Sequence, residues 1–232
     1  MDRSMFDIAR KAIEGALAAG ATYADARVVV RRHEQVRARN GEIEATVKEE
    51  DAGIGVRALI GSSWGFAAGS QLDDATARAT GEKAGAMARA SGLVPGADLV
   101  LADVDAIQTS WSNSFQEDPF AVSLTEKADL LVGVTAEMFT EAKVEVATGT
   151  VEFWDTDKWF VSSQGSEIHQ HIVESGGGID ATAVGESETQ RRSYPQSFGE
   201  YQTGGYEVIR GFDLPAHAGR LASEAVQLLS AE

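Results

Sequence analysis

Along this 232-residue chain the apolar positions switch from helical spacing to strict alternation and back, twice. Phe6, Ala9, Ile13, Ala16 and Leu17 recur at steps of three and four. That spacing predicts an opening helix, capped by Asp2 or Ser4 and stopped at Gly20. Tyr23–Val30 predicts a strand, and its three consecutive valines predict burial on both faces. Short alternating segments follow at Val36–Arg39, Ile43–Lys48, Ile54–Leu59 and Trp64–Ala68. Asn40-Gly41, Glu50-Asp51-Ala52-Gly53 and Gly61-Ser62-Ser63 separate them. Asn-Gly is the strongest short hairpin signal, because a type I′ turn needs positive φ at both central residues. The pattern predicts an antiparallel meander with Ile43, Val47, Ile54, Val56, Trp64 and Phe66 on the buried face. A second helix is predicted from Leu72-Asp73-Asp74 to about Ser91, stopped by Gly92 and Pro95. Its inward stripe is Ala77, Ala84 and Ala88 with Met87 alongside, so close backbone packing is expected.

Pro95 to Phe120 is less regular. Leu99–Ala102 predicts a short strand and Ser110–Pro119 a loop carrying two aromatics. This loop-rich stretch joins two halves, about residues 3–105 and 122–232, of one domain. Ser123 and Glu126 form an S-x-x-E capping box. Leu124, Ala128, Leu131, Thr135, Met138 and Ala142 continue the helix it opens. Only three of those side chains are large and apolar. Burial contributes about 1.5–3 kcal/mol for each, against about 1–2 kcal/mol of backbone entropy per residue. Such a helix must be docked on a sheet. The sheet is predicted from Val144–Val151, Trp159–Ser162, Ile168–Val173 and Ile179–Val184. Asp155-Thr156-Asp157, Gln164-Gly165 and Gly176-Gly177-Gly178 are read as the breaks between them. Ser187–Tyr206 is polar and is expected to be an extended or mobile loop. A last helix starts at Asp213 with Pro215 in its first turn and turns Leu214, Ala218, Leu221, Ala225 and Leu228 inward. Two successive sets of helices on antiparallel meanders define the class α+β.

Charge narrows the partners. Against 36 Asp and Glu stand 20 Lys and Arg, a formal net charge of −16. Binding to phosphate needs clustered cations, and the short basic clusters are Arg31-Arg32 and Arg191-Arg192, so nucleic acid is not an expected partner. No run approaches the roughly 18 apolar residues of a membrane span. The first twenty residues carry Asp7, Lys11 and Glu14 where a secretory signal would be apolar. The absence of cysteine excludes disulfides, thiolate ligands and a cysteine nucleophile. These features together predict a cytoplasmic protein.

Candidate chemistry thins out on inspection. Gly61-Ser62-Ser63-Trp64-Gly65 matches G-x-S-x-G, but a nucleophile elbow needs a helix after the serine and this segment continues as strand. Gly53-Ile54-Gly55-Val56-Arg57-Ala58 matches G-x-G-x-x-A, yet its glycines do not open a helix, so they read as a bulge or a close backbone contact. His33-Glu34 lacks a second histidine four residues on, where Arg37 stands. His169 and His171 share one strand face without a recognisable third ligand, so metal binding is not the expected role. His217 lies off the last helix's apolar stripe and is expected to be exposed. Asp155 and Asp157 read as a turn rather than a calcium loop. Glu49, Glu50 and Asp51 crowd like charges at a predicted hairpin tip. Trp111, Phe115 and Phe120 are read as a small packing cluster rather than a recognition surface. No nucleophile, base and orienting group assemble, and no catalytic, cofactor-binding or metal residue is assigned.

Ala18–Glu50, followed by Gly53–Leu59 and Trp64–Ala67, resembles the N-terminal region of the TldD/PmbA family. Tyr23, Asp25, Arg27, Asn40, Gly41, Gly55, Val56, Arg57, Gly65, Phe66 and Ala67 stand where that family carries its strand entry, N-G hairpin, G-V-R and G-F-A segments. The helix near Ser123–Ala142, the paired strands and the closing helix extend the likeness. The polar glycine-bearing loop before the last helix leans toward the TldD branch.

The resemblance implies a zinc metallopeptidase that works as a pair of subunits and processes peptides in an enclosed cavity. The family's metal ligands, an H-E-x-x-x-H helix and a later cysteine, are absent here, so no cofactor is expected in this chain itself. The chain is therefore expected to be a non-catalytic N-terminal half, inactive alone. Its implied partners are the missing C-terminal metal-binding half, a second TldD/PmbA-type subunit and a peptide. The alternative is a standalone binding or assembly domain without peptidase activity. The charge pattern gives no support to the family's association with DNA gyrase.

Overall fold

Asn40 and Gly41 take φ of 53° and 84°, the left-handed pair a type I′ turn requires. They join β1 (Tyr23–Arg39) to β2 (Glu42–Ile60). The Asn40 side chain also extends the ladder to the neighbouring strand: its Oδ1 accepts from Ala147 N at 2.7 Å and its Nδ2 donates to Glu145 O at 3.2 Å. The computed structural model describes residues 3–94, 96–97, 99–197 and 199–231. Besides these two strands it contains α1 (Arg3–Ala18), β3 (Ser63–Gly69), α2 (Asp74–Ser91), β4 (Gln108–Ser112) and α3 (Leu124–Phe139). Then come β5 (Val144–Ser162), β6 (Glu167–Val184), β7 (Thr189–Tyr194), β8 (Glu200–Thr203), α4 (Glu207–Phe212) and α5 (Leu214–Leu228). The strands follow the order β3-β2-β1-β5-β6-β4, with β7 and β8 also paired antiparallel to β6. This is the predicted α+β class.

The strands are longer than the alternation suggested. Glu50–Gly53 is no turn: β2 runs through it, because the two-residue turn at Asn40-Gly41 sets a register that both strands keep. Glu49, Glu50 and Asp51 lie exposed on that strand, where water screens their like charges. Asp155–Asp157 and Gly176–Gly178 likewise lie inside β5 and β6. The three glycines serve close approach. A Cβ on Gly176 would fall 2.1 Å from the Tyr201 ring, on Gly177 2.2 Å from Thr150 O, and on Gly178 2.7 Å from Gly199 Cα. Ser187–Tyr206 holds β7 and β8 rather than one extended loop, and the argument for the TldD branch drawn from that loop loses its basis. Leu99–Ala102 forms no strand among its described residues; β4 lies further on and pairs parallel with β6. Of the predicted stops and caps, Asp2 and Pro95 lie outside the described residues, and Ser4 sits within α1.

Contacts divide the chain into two units. The first comprises Met1–Arg31, Glu50–Ser112 and Thr156–His171, the second Arg32–Glu49, Asn113–Asp155 and Ile172–Glu232. In the first, Phe6, Ala9, Ile13 and Ala16 of α1 are buried as predicted, while Leu17 is 43% exposed. They cover Ala24, Ala26, Val28, Ile54, Val56, Ala58 and Ala67 on the sheet. Asp73 caps α2 by accepting from Thr76 N at 2.9 Å.

The expected close packing of α2 holds, but Gly81 and Gly85 make it as much as the alanines. A Cβ on Gly81 would sit 1.9 Å from Ala12 O, and one on Gly15 2.2 Å from Arg78 O. One on Gly65 of β3 would sit 2.1 Å from Ala84 O. Gly65 and Ala67 therefore form the helix-facing side of β3. Trp64 and Phe66, predicted to be buried, turn the other way and stay 36% and 58% exposed. Ile43 is exposed and Val47 half-buried, so only Ile54 and Val56 of the predicted face are in the core.

In the second unit Ser123 accepts from Glu126 N at 3.1 Å, forming the cap the motif predicted. Leu131, Val134 and Met138 of α3 pack with Phe153, Ile179, Tyr206, Ile209, Leu214 and Leu221. Leu124 is 47% exposed; its expected place is taken by Lys127, whose side chain is 0% exposed. Lys127 Nζ donates to Glu34, donates to Pro119 O at 2.6 Å, and stands 4.5 Å from the Phe153 ring centroid. A buried ammonium persists only with such a full set of partners.

Candidate functional site

In the first unit, the sheet face turned away from α1 and α2 gathers Tyr23, Asp25, Arg27, Arg57 and Phe66, five of the residues that carried the family resemblance. Alternation on β1 turns Ala24, Ala26 and Val28 to the helices and leaves Tyr23, Asp25 and Arg27 on the other side. Asp25 is 1% exposed in its side chain. It accepts from Arg57 Nε at 3.1 Å, Arg57 Nη2 at 2.6 Å, Arg27 Nη1 at 2.9 Å and Tyr23 Oη at 3.2 Å. Those bonds hold the Arg57 guanidinium above its ordinary pKa. Burial, then the charge of Asp25, raises the Tyr23 hydroxyl. The Arg27 guanidinium lies 4.8 Å from the Phe160 ring centroid and that of Arg57 5.3 Å from Trp64, which Tyr23 meets edge-on at 5.8 Å. Beside the two arginines runs a groove of about 360 Å³ between Val29, Phe66 and Ala68, floored by Gly53 and Gly55.

A larger hollow of about 710 Å³ lies near α1 and β4 in the same unit. Its cation, Arg10, is bound by both oxygens of Glu167 at 2.8 and 2.9 Å and by Asp7, two carboxylates that more than neutralise it.

In the second unit, His33, Trp154 and Tyr201 make a short aromatic ladder, with centroid separations of 5.4 and 5.6 Å. Glu152 closes it, 2.7 Å from His33 Nε2 and 3.4 Å from Tyr201 Oη. Burial and then the Glu152 charge raise the Tyr201 hydroxyl. Neither Glu152 nor Tyr201 was singled out in the sequence, because nothing in their local spacing links them to His33.

The sequence candidates scatter. Gly61-Ser62 is a turn and Ser63–Gly65 belongs to β3, and Gly53–Ala58 lies within β2, so neither segment opens the helix that its motif requires. His169 and His171 both lie on β6, as predicted. His169 already has partners at both nitrogens, Asp157 at 2.7 Å and Ser110 at 3.0 Å, and stacks on Trp159 at 5.0 Å. His217 is half-buried rather than exposed, stacked on Tyr194 at 3.8 Å. Phe120 packs on the second unit's core, whereas Trp111 and Phe115 remain 50% and 38% exposed.

A sheet carrying helices on one face, with arginines and aromatics on the other, defines an α+β scaffold. Comparison with known proteins narrows this class. Residues 24–88 match PmbA/TldA metallopeptidase domain 1 and residues 117–231 match the PmbA/TldA metallopeptidase central domain. The chain belongs to the PmbA/TldA (TldD/PmbA) metallopeptidase family. It is similar to Metalloprotease MJ0996 of Methanocaldococcus jannaschii, 24% identical over 151 residues that make up 65% of this chain and 33% of that protein.

Two solved structures share the fold closely. A proposed modulator of a DNA gyrase from Thermotoga maritima has a TM-score of 0.71 at 13% identity, covering 98% of this chain and 49% of that one. A proposed modulator of DNA gyrase from Bacteroides thetaiotaomicron has a TM-score of 0.74 at 13% identity, covering 96% and 48%. TldE of Thermococcus kodakarensis follows with 0.58 at 14%, covering 97% and 46%. The chain thus spans about half the length of these structures and a third of the metalloprotease. Among the described residues no helix is long and apolar enough to cross a membrane.

Proposed function

We propose that this chain is the non-catalytic N-terminal part of a TldD/PmbA-type zinc metallopeptidase that processes peptides in the cytoplasm. The observation that carries the reading is the ordered match to the family's first and central domains in a chain half as long as its structural neighbours. The sequence holds no H-E-x-x-x-H and no cysteine, so metal and catalysis are assigned to residues beyond these 232. The two halves, about 3–105 and 122–232, would form cavity wall and a pairing surface for a second subunit of the same type. The arginine and aromatic groups on the helix-free face of the first unit would meet the peptide.

Joining residues 1–232 to the C-terminal remainder of a longer family polypeptide tests this. The expected result is zinc-dependent cleavage of unfolded peptides by the joined protein and none by residues 1–232. Cleavage by residues 1–232 alone, or cleavage undiminished by a chelator, would overturn it. A joined protein without activity, built on a first part that still binds peptide, would favour the standalone binding domain.

A further inference from the structure

The groove on the first unit offers more positive charge than its own packing uses. One buried carboxylate, Asp25, faces two guanidiniums that are 43% and 46% exposed, in a chain whose formal net charge is −16. Arg57 reaches Asp25 through Nε and Nη2 and Arg27 through Nη1. Among the described residues, Arg57 Nη1 and Arg27 Nε and Nη2 make no hydrogen bond. Each guanidinium also lies over an aromatic ring, which restrains its plane. Little side-chain entropy is then lost when those donors meet a ligand. The adjoining groove of about 360 Å³ lies at the small end of the range of about 300–1,000 Å³ typical of ligand pockets. Gly55 keeps it open: a Cβ there would lie 3.3 Å from the Phe66 ring.

We infer that this groove binds the C-terminal end of a peptide whose last side chain is apolar. The terminal carboxylate sits on Arg27 and Arg57, and the side chain lies against Val29 and Phe66. Charge complementarity selects this occupant. The rim carries one positive charge beyond Asp25, and a terminal carboxylate brings one negative charge with two acceptor oxygens suited to planar donors. A phosphate would bring close to two charges. The interior of a peptide backbone would bring none, and an aspartate or glutamate side chain brings charge without an apolar group for the groove. The inference rests on the peptide-handling role proposed above and adds which end of the peptide is held.

The test is calorimetric titration of the intact chain with acetyl-Ala-Ala-Phe as the free acid and as the C-terminal amide. The acid is expected to bind, and amidation to weaken binding about tenfold or more through loss of the charge-assisted bonds. Arg27→Gln should lower the affinity for the acid to about that for the amide and leave the amide unchanged. Gly55→Val, which narrows the groove, should weaken both. Arg57 is left in place because it is the main partner of buried Asp25. Should Arg27→Gln unfold, Arg27→Lys keeps a cation beside Asp25 and should still lose much of the acid–amide difference. Equal binding of acid and amide, or no binding of the acid at about 10 mM, weaker than ordinary specific affinities, would overturn the inference. In either case zinc-dependent cleavage by the joined protein would leave the peptidase reading standing.

Discussion

The helix layers of the two units answer one requirement, covering a sheet, with opposite materials. In the first, α1, α2 and β3 meet through Gly15, Gly81 and Gly65, where a single added carbon would fall within 2.2 Å of a backbone oxygen. In the second, α3 and α5 pack through Leu131, Val134, Met138, Leu214 and Leu221, and α3 buries a lysine. Backbone-to-backbone contact gains dispersion from close approach and leaves no slack for growth. Packing through large side chains keeps the backbones further apart, and the stem and ammonium of Lys127 lie under α3 toward Glu34 of β1 and Phe153 of β5. Small residues therefore mark the less forgiving layer, and large ones the layer that holds a polar pin.

The largest expected effect falls on that pin. Lys127→Met leaves Glu34 buried without its cation and should cost about 3–5 kcal/mol in urea unfolding. Adding Glu34→Leu should recover most of the loss, and a double variant no better than the single would show that packing dominates. Next comes the glycine layer: Gly81→Ala forces α1 and α2 apart and should cost about 1–3 kcal/mol or more. Ser123→Ala removes the α3 cap and should cost about 1 kcal/mol.

Gly133→Ala in α3 reverses the sign. Nothing lies within 4 Å of its added Cβ, and the gain in helix propensity should stabilise by about 0.5–1 kcal/mol. Equal effects at Gly81 and Gly133 would break the contrast between the layers. The smallest effect is alkaline. Burial pushes the Tyr206 hydroxyl up to about 12 from its ordinary 10.0. A pKa raised by folding stabilises fully below the unfolded value, so the stability is lost as pH climbs from about 10 to about 12. Tyr206→Phe should flatten that decline, measured by thermal unfolding across this range.

Much of this was legible in order along the chain. Asn40-Gly41 and the Ser123 cap are signals whose chemistry is complete within four residues, and both formed, although Glu126, the other half of the box, turns its carboxylate to Arg210. The burial of Trp64 and Phe66 was misjudged because alternation says which residues share a face and not which face is covered. The helices cover the side of Gly65 and Ala67, where they can come closest. Gly176–Gly178 was taken for a break because a glycine run looks the same whether it bends a chain or admits a neighbour. Lys127 was passed over because a charge on an otherwise apolar stripe reads as exposed until its partner, 93 residues away, is in place. The family residues Tyr23, Asp25, Arg27 and Arg57 were found as a pattern, but their convergence on one buried carboxylate appears only once β1 and β2 are paired.

Taken alone, the chain determined α1, α2, α3 and α5, its hairpin turn and its α+β class, because local backbone preference and apolar period act over a few residues; the short α4 was not read, and the family came from resemblance. The tertiary structure decided which face of each strand is covered, how far each strand runs and which charges are buried together. Those outcomes depend on groups distant in sequence meeting at atomic range, where close packing and the desolvation of charge take effect.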